Sequence, residues 1–103
     1  MHRRLAAILF ADVVGYSRMM ETNEAQTLFG LKTCRESIVE PSLSDHGGRM
    51  VKLIGDGMLA EFPSAVSAVA CALEIQSDLA RANDGTSDLS RVTLRIGVHV
   101  GDV

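Results

Sequence analysis

Leu5 to Val13 forms a nearly continuous apolar run, broken near its end by Asp12 and closed by Gly15. Such a run predicts a central strand buried on both faces. After it, Ser17 is placed to N-cap a first short helical turn, and Thr22–Asn23 with Glu24 marks a second helix start. Apolar residues then recur at Ala25, Leu28, Phe29, Leu31, Ile38 and Val39 with a helical period. Pro41 predicts a kink or restart within that helical region, and His46–Gly47–Gly48 predicts its end, glycine taking the left-handed conformation.

The second half alternates faster. Met50 to Ile54 reads as a strand with Val51 and Leu53 on one side and Met50, Lys52 and Ile54 on the other. Gly55–Asp56–Gly57 is a tight-turn signal, and Met58 to Phe62 completes a β-hairpin. Pro63–Ser64 opens a helix running to about Ala82, its stripe formed by Val66, Val69, Ala70, Leu73 and Ile75. A loop from Asn83 to Ser87 leads to a closing strand from Val92 to Val100. The order strand, helix, strand, strand, helix, strand predicts an α+β fold with a ferredoxin-like βαββαβ core, residues 1–103 being expected to form a single, C-terminally truncated domain. In that arrangement the first strand lies beside the third, which brings Asp12 close to the Gly55–Gly57 turn.

Composition narrows the function classes. With 47% hydrophobic and 22% charged residues the chain has an ordinary globular balance. A formal charge of −3 and a pI near 5.5 argue against a surface that coats nucleic acid. Apart from Arg3–Arg4 the basic residues are scattered, so no polybasic membrane patch is expected. The basic start and apolar run superficially resemble a signal peptide, but Asp12 interrupts the run and no stretch suits insertion into a bilayer. Cys34 and Cys71 lack CxxC spacing and fall at apolar helical positions. They are expected to be reduced, packed thiols of a cytoplasmic protein.

Two carboxylates carry the candidate chemistry. An acid at the end of an apolar strand is costly unless solvated, hydrogen-bonded or metal-bound. Asp12 therefore reads either as a cap of the turn after it or as a ligand for a hard cation such as Mg²⁺. Next to it, Gly15 permits an unusual backbone conformation, and the amides of Val14 to Ser17 are placed to meet a phosphate chain at a helix start. Asp56 has an equally simple reading, because Asp-Gly is a favoured hairpin turn. Its pairing with Asp12 suggests more, since two-metal sites share carboxylates between ions about 3.5–4 Å apart. Lys52 is either a solvated strand lysine or a donor to the N1 acceptor of adenine, a lysine having only donors to offer. His99 reads as a packed or hydrogen-bonded residue and His46 as a helix C-terminal residue favoured by the dipole. No nucleophile–histidine–acid set is apparent.

Three segments, FADVVGYSRM, HGGRMVKLIGDGMLAEF and LRIGVHVGDV, resemble the first half of the catalytic domain of class III nucleotidyl cyclases, in the bacterial adenylate cyclase branch. The resemblance covers practically the whole chain in order and spacing. It implies a head-to-tail homodimer with active sites at the subunit interface, converting ATP to 3′,5′-cyclic AMP and pyrophosphate by a two-metal mechanism. Asp12 and Asp56, with the Val13 carbonyl, would hold two Mg²⁺ or Mn²⁺ ions. The backbone of Val14, Gly15, Tyr16 and Ser17 would hold the β- and γ-phosphates. Lys52, contributed by the partner subunit, would recognise adenine where guanylate cyclases typically place glutamate. The family's second base-recognising residue, its ribose-orienting asparagine and its transition-state arginine come after the last matching segment. The 103 residues alone are therefore expected to be inactive. Two other readings stand beside this one. A cyclase-like pseudoenzyme could serve as a regulatory or dimerisation module, although both acids and the lysine are present. An unrelated ferredoxin-like domain, including diguanylate cyclase relatives, has no GGDEF-like sequence in its support.

Overall fold

The computed structural model describes residues 5–85 and 91–102. Four strands, β1 (Leu5–Val13), β2 (Arg49–Ile54), β3 (Gly57–Phe62) and β4 (Leu94–Asp102), form an antiparallel sheet in the order β2-β3-β1-β4. The helices are α1 (Tyr16–Thr22), α2 (Glu24–Cys34), α3 (Glu40–Asp45) and α4 (Ala65–Asn83), with a π-helical turn at Arg35–Val39 linking α2 to α3. This is the α+β, ferredoxin-like order expected from the sequence, with β1 between β3 and β4. Arg3, Arg4, Thr86, Ser87 and Val103, which entered the sequence reading, lie outside the described residues.

The helices cover one face of the sheet only. Ala7, Leu9, Ala11 and Val13 of β1, with Met58, Ala60 and Phe62 of β3, pack against Ala68, Cys71, Ile75 and Leu79 of α4. The opposite face of β1 is largely open: Ala6 is buried, but Phe10 is 40% exposed, and Ile8 and Asp12 are half-buried. The expectation that β1 is buried on both faces is thus corrected. A continuous apolar run does not distinguish two covered faces from one covered face and one apolar surface.

The helix faces also differ from those expected. Of the stripe Val66, Val69, Ala70, Leu73 and Ile75, only Ile75 reaches the core, while Val66 is 80% and Leu73 67% exposed. The sheet-facing side is built on Ala68 and Cys71, whose small side chains suit close helix–sheet packing, and on Ile75 and Leu79. In α2 the buried residues are Thr27 and Cys34, whereas Leu28 and Phe29 are exposed. The Thr27 hydroxyl satisfies itself by donating to the Met19 carbonyl at 2.9 Å. Both cysteines are free and buried, as expected, and burial pushes each thiol above its ordinary pKa.

Start and stop signals were easier to place. Asn23 N-caps α2 by accepting the Gln26 N–H at 2.9 Å, and Ser64 caps α4 by accepting the Ser67 N–H at 3.1 Å. Pro41 sits in the first turn of α3, where its missing N–H costs little. The helix before it continues through the π turn and restarts there. His46 and Gly47 end α3. Ser17, however, caps nothing: Gly15 is the N-cap of α1, and Ser17 lies inside the helix.

In β2 the simple alternation fails because of a bulge between Met50 and Lys52. Met50 pairs with Ala60 on the helix-covered side, while Lys52 pairs with Leu59 on the open side. Gly48, just before β2, is held by contact: a Cβ there would lie 2.5 Å from the ring of Phe62, which is only 1% exposed. Gly48→Ala is therefore expected to destabilise the fold by about 1–3 kcal/mol through overpacking. An unchanged midpoint in thermal or urea unfolding would contradict this.

Candidate active site

Asp12 stands near the end of β1 on the open face, directly opposite Arg95 in the antiparallel β1–β4 register. Cross-strand neighbours of opposite charge are within side-chain reach, and here the guanidinium forks the carboxylate. Arg95 Nε donates to Asp12 Oδ1 at 2.9 Å and Nη2 to Oδ2 at 3.0 Å. This hydrogen-bonded pairing holds the Asp12 carboxyl below its usual pKa range, its partial desolvation opposing the shift. The same pairing raises the pKa of Arg95, with a smaller contribution from the field of Asp56.

Asp56 arrives from the other side. It occupies the two-residue turn Gly55–Asp56 between β2 and β3, and β3 is the neighbour of β1. Its Oδ2 accepts the backbone N–H of Val13 at 3.1 Å. The two carboxylates are therefore tied to adjacent residues of one strand end, as the expected placement of β1 beside β3 requires.

Past Val13 the ladder continues for one more bond, Val14 N–H donating to the Thr93 carbonyl at 2.8 Å. The chain then turns sharply at Gly15, which has φ 73° in the left-handed region, and α1 begins. A side chain at such a φ costs roughly 1–2 kcal/mol, so glycine is the residue that makes the abrupt strand-to-helix turn cheap. The amides in the first turn of α1 have no partner within the helix, whereas that of Val14 is already engaged with Thr93.

Asp12, Val13, Val14, Gly15, Tyr16, Ser17 and Asp56 line one concavity of about 630 Å³, together with Arg18 and Arg95. Lys52 is exposed on the open face of β2 and lies outside that concavity. The sequence reading missed Arg95. Its signal lay in the register of two strands more than eighty residues apart, which local spacing does not disclose. Among the described residues no group of three or more histidine, cysteine, aspartate or glutamate side chains gathers into a complete metal cage. Two converging carboxylates nevertheless suit a hard cation such as Mg²⁺, which is usually held by one or two carboxylates and completes its shell with water and substrate phosphates.

Residues 3–103 match the profile of the adenylate and guanylate cyclase catalytic domain. The chain belongs to that family. A Rhizobium meliloti protein provisionally named adenylate cyclase 3 is 48% identical over 98% of this chain and 17% of its own length. An adenylate cyclase of Anabaena cylindrica is 31% identical over 97% of this chain and 22% of its own. Among solved structures, an adenylate/guanylate cyclase/hydrolase from Silicibacter pomeroyi superposes with a TM-score of 0.88 at 46% identity, covering 98% of this chain and 59% of that one. The chain thus spans a minor part of these curated relatives and somewhat over half of the solved cyclase.

Within this cyclase domain the remaining polar cluster is structural. His46 at the end of α3 bonds Glu74 of α4 through Nε2 and Oε2, and the Ser42 hydroxyl donates to the same oxygen at 3.2 Å. The bond from His46 holds Glu74 below the usual carboxylate pKa, partial burial opposing it and Ser42 assisting. Ser42 faces Glu74 and the Cys71 sulfur, not the imidazole. No activated nucleophile results, and the cluster staples α3 to α4. His46 thus has a specific partner beyond the helix dipole. No helix among the described residues is long and apolar enough to cross a membrane.

Proposed function

We propose that this cyclase domain acts on ATP, forming 3′,5′-cyclic AMP and pyrophosphate with two Mg²⁺ or Mn²⁺ ions held at Asp12 and Asp56. The observation behind this reading is the convergence of those two carboxylates on one concavity, Asp56 bonding the amide of Val13 next to Asp12, beside the left-handed turn at Gly15. The cations would supply charge neutralisation and hydroxyl activation when bound. The chain's own contribution is positional. Asp56 fixes the end of β1, and the Val13 carbonyl is the proposed third oxygen donor. The turn from Val14 to Ser17 is the proposed phosphate cradle, with the Gly15, Tyr16 and Ser17 amides best placed to donate. Arg95 adds a cation at the rim of the same concavity. Such preorganised charge is the main source of rate in phosphoryl chemistry.

Lys52 supports adenine as the base, through its exclusive donor character. It sits two strands away from β1, on the open face and outside the Asp12 concavity. A base-reading role therefore calls for a second subunit that presents its own Lys52 to this site. The open face suits such a head-to-tail homodimer, since Phe10 and Ile54 are 40% and 49% exposed there. Cytoplasmic placement belongs to the same reading, since it supplies both ATP as substrate and the divalent cation. The test is direct: the protein containing this domain, given ATP or GTP with Mn²⁺, is expected to release cyclic AMP in large excess over cyclic GMP. Equal or reversed product ratios would overturn the adenine assignment, and no cyclic nucleotide at all would favour the pseudoenzyme.

A further inference from the structure

The geometry points to Arg95 as a built-in counter-cation that occupies Asp12 until a divalent ion displaces it, so that metal entry and release of the guanidinium are one exchange. This inference rests on the reading that Asp12 and Asp56 hold divalent cations. Both carboxylate oxygens of Asp12 are engaged, at 2.9 and 3.0 Å, by the two prongs of the same guanidinium. An ion that takes both oxygens, or either oxygen from the side facing Arg95, must displace that fork. Meanwhile Asp56 keeps Oδ2 on the Val13 amide.

The asymmetry of the pair makes an exchange physically reasonable. The Asp12 side chain is 26% exposed and held by the strand end, whereas that of Arg95 is 72% exposed. The carboxylate is the fixed partner and the guanidinium the movable one. Exposed ion pairs are weak, but a two-pronged geometry places this one toward the stronger end of the range. The pair is therefore strong enough to compete with a divalent ion and weak enough to yield to it. It also keeps a positive charge on the concavity that Asp12 and Asp56 both line.

Arg95 is thus a positioning residue, and its test reads metal binding instead of turnover. The Mn²⁺ site that is lost in Asp12→Ala would be titrated by electron paramagnetic resonance in the intact protein, without nucleotide. Arg95→Ala is expected to bind Mn²⁺ there about three- to thirtyfold more tightly than wild type. Arg95→Lys separates exchange from a general field: it keeps the charge but loses the fork, so exchange predicts tighter binding than wild type, and a field effect alone predicts no change. In wild type, saturating Mg²⁺ is expected to move the Arg95 Nε–H resonance from a carboxylate-bonded to a solvent-like position. Unchanged or weaker Mn²⁺ binding in Arg95→Ala, wild-type affinity in Arg95→Lys, or an Arg95 resonance indifferent to Mg²⁺ would overturn the exchange while leaving the metal site standing. Absence of the Asp12-dependent site from both wild type and Arg95→Ala would overturn the metal reading, and the exchange with it.

Discussion

Asp12→Ala and Asp56→Ala are each expected to lower the cyclase kcat/KM of the intact protein by at least about 10²–10³, the usual cost of removing one preorganised electrostatic group. Neither change should unfold the domain. Asp12 is partly exposed and its partner Arg95 mostly so, hence truncation leaves no buried orphan charge. Asp56→Ala strips the Val13 amide of its acceptor, and a lost hydrogen bond of that kind costs about 1 kcal/mol. Asp56→Asn retains an oxygen for Val13 while weakening the cation site, so it should remain nearly as stable as wild type and still be inactive. Rates with Mn²⁺ and with Mg²⁺, read beside thermal unfolding, check this. Activity within a few-fold of wild type in either alanine variant would remove that aspartate from the metal site.

Lys52→Glu is expected to shift the ratio of kcat/KM for ATP over GTP by about 10- to 150-fold toward GTP, corresponding to roughly 1.5–3 kcal/mol for a hydrogen bond from a charged donor. The sign follows from the edges of the two bases. Lysine only donates and so suits the bare N1 of adenine, while glutamate only accepts and so suits the N1–H of guanine. The substitution lies on the exposed side of an edge strand, where stability changes are small. A ratio equal to that of wild type would make Lys52 a solvated strand residue and nothing more.

Much of this architecture was legible in the sequence, because the signals that mattered were local. Asn23, Ser64 and the His46–Gly47 stop announce helix boundaries through side-chain chemistry that does not depend on the rest of the fold. The Gly55–Asp56–Gly57 turn between two short apolar runs announces the hairpin, and the element order then places Asp56 near Asp12. What could not be read was which side of each element faces inward. In α4, Val66 and Leu73 outrank Ala68 and Cys71 in hydrophobicity, yet closeness to the sheet selects the smaller pair. In α2, Thr27 is buried because Met19 offers it an acceptor, a contact no periodicity encodes. Arg95 stayed hidden for a related reason: its partnership with Asp12 depends on how β4 slides along β1. That register is helped into place by Asn83, whose amide clamps both backbone groups of Val92 just before the strand, at 2.8 and 3.3 Å.

The bulge at Val51 has a bearing on how this segment tolerates change in length. Because one extra residue is absorbed between Met50 and Lys52, the pairing of Lys52, Leu53 and Ile54 with β3 is set from the hairpin side alone. Everything from Lys52 to Asp56 behaves as a unit hung from the turn, and the chain before it is joined through a joint with one residue of slack. A residue gained or lost at that joint is expected to leave the Lys52 side chain projecting from the open side at the same distance from the acidic turn.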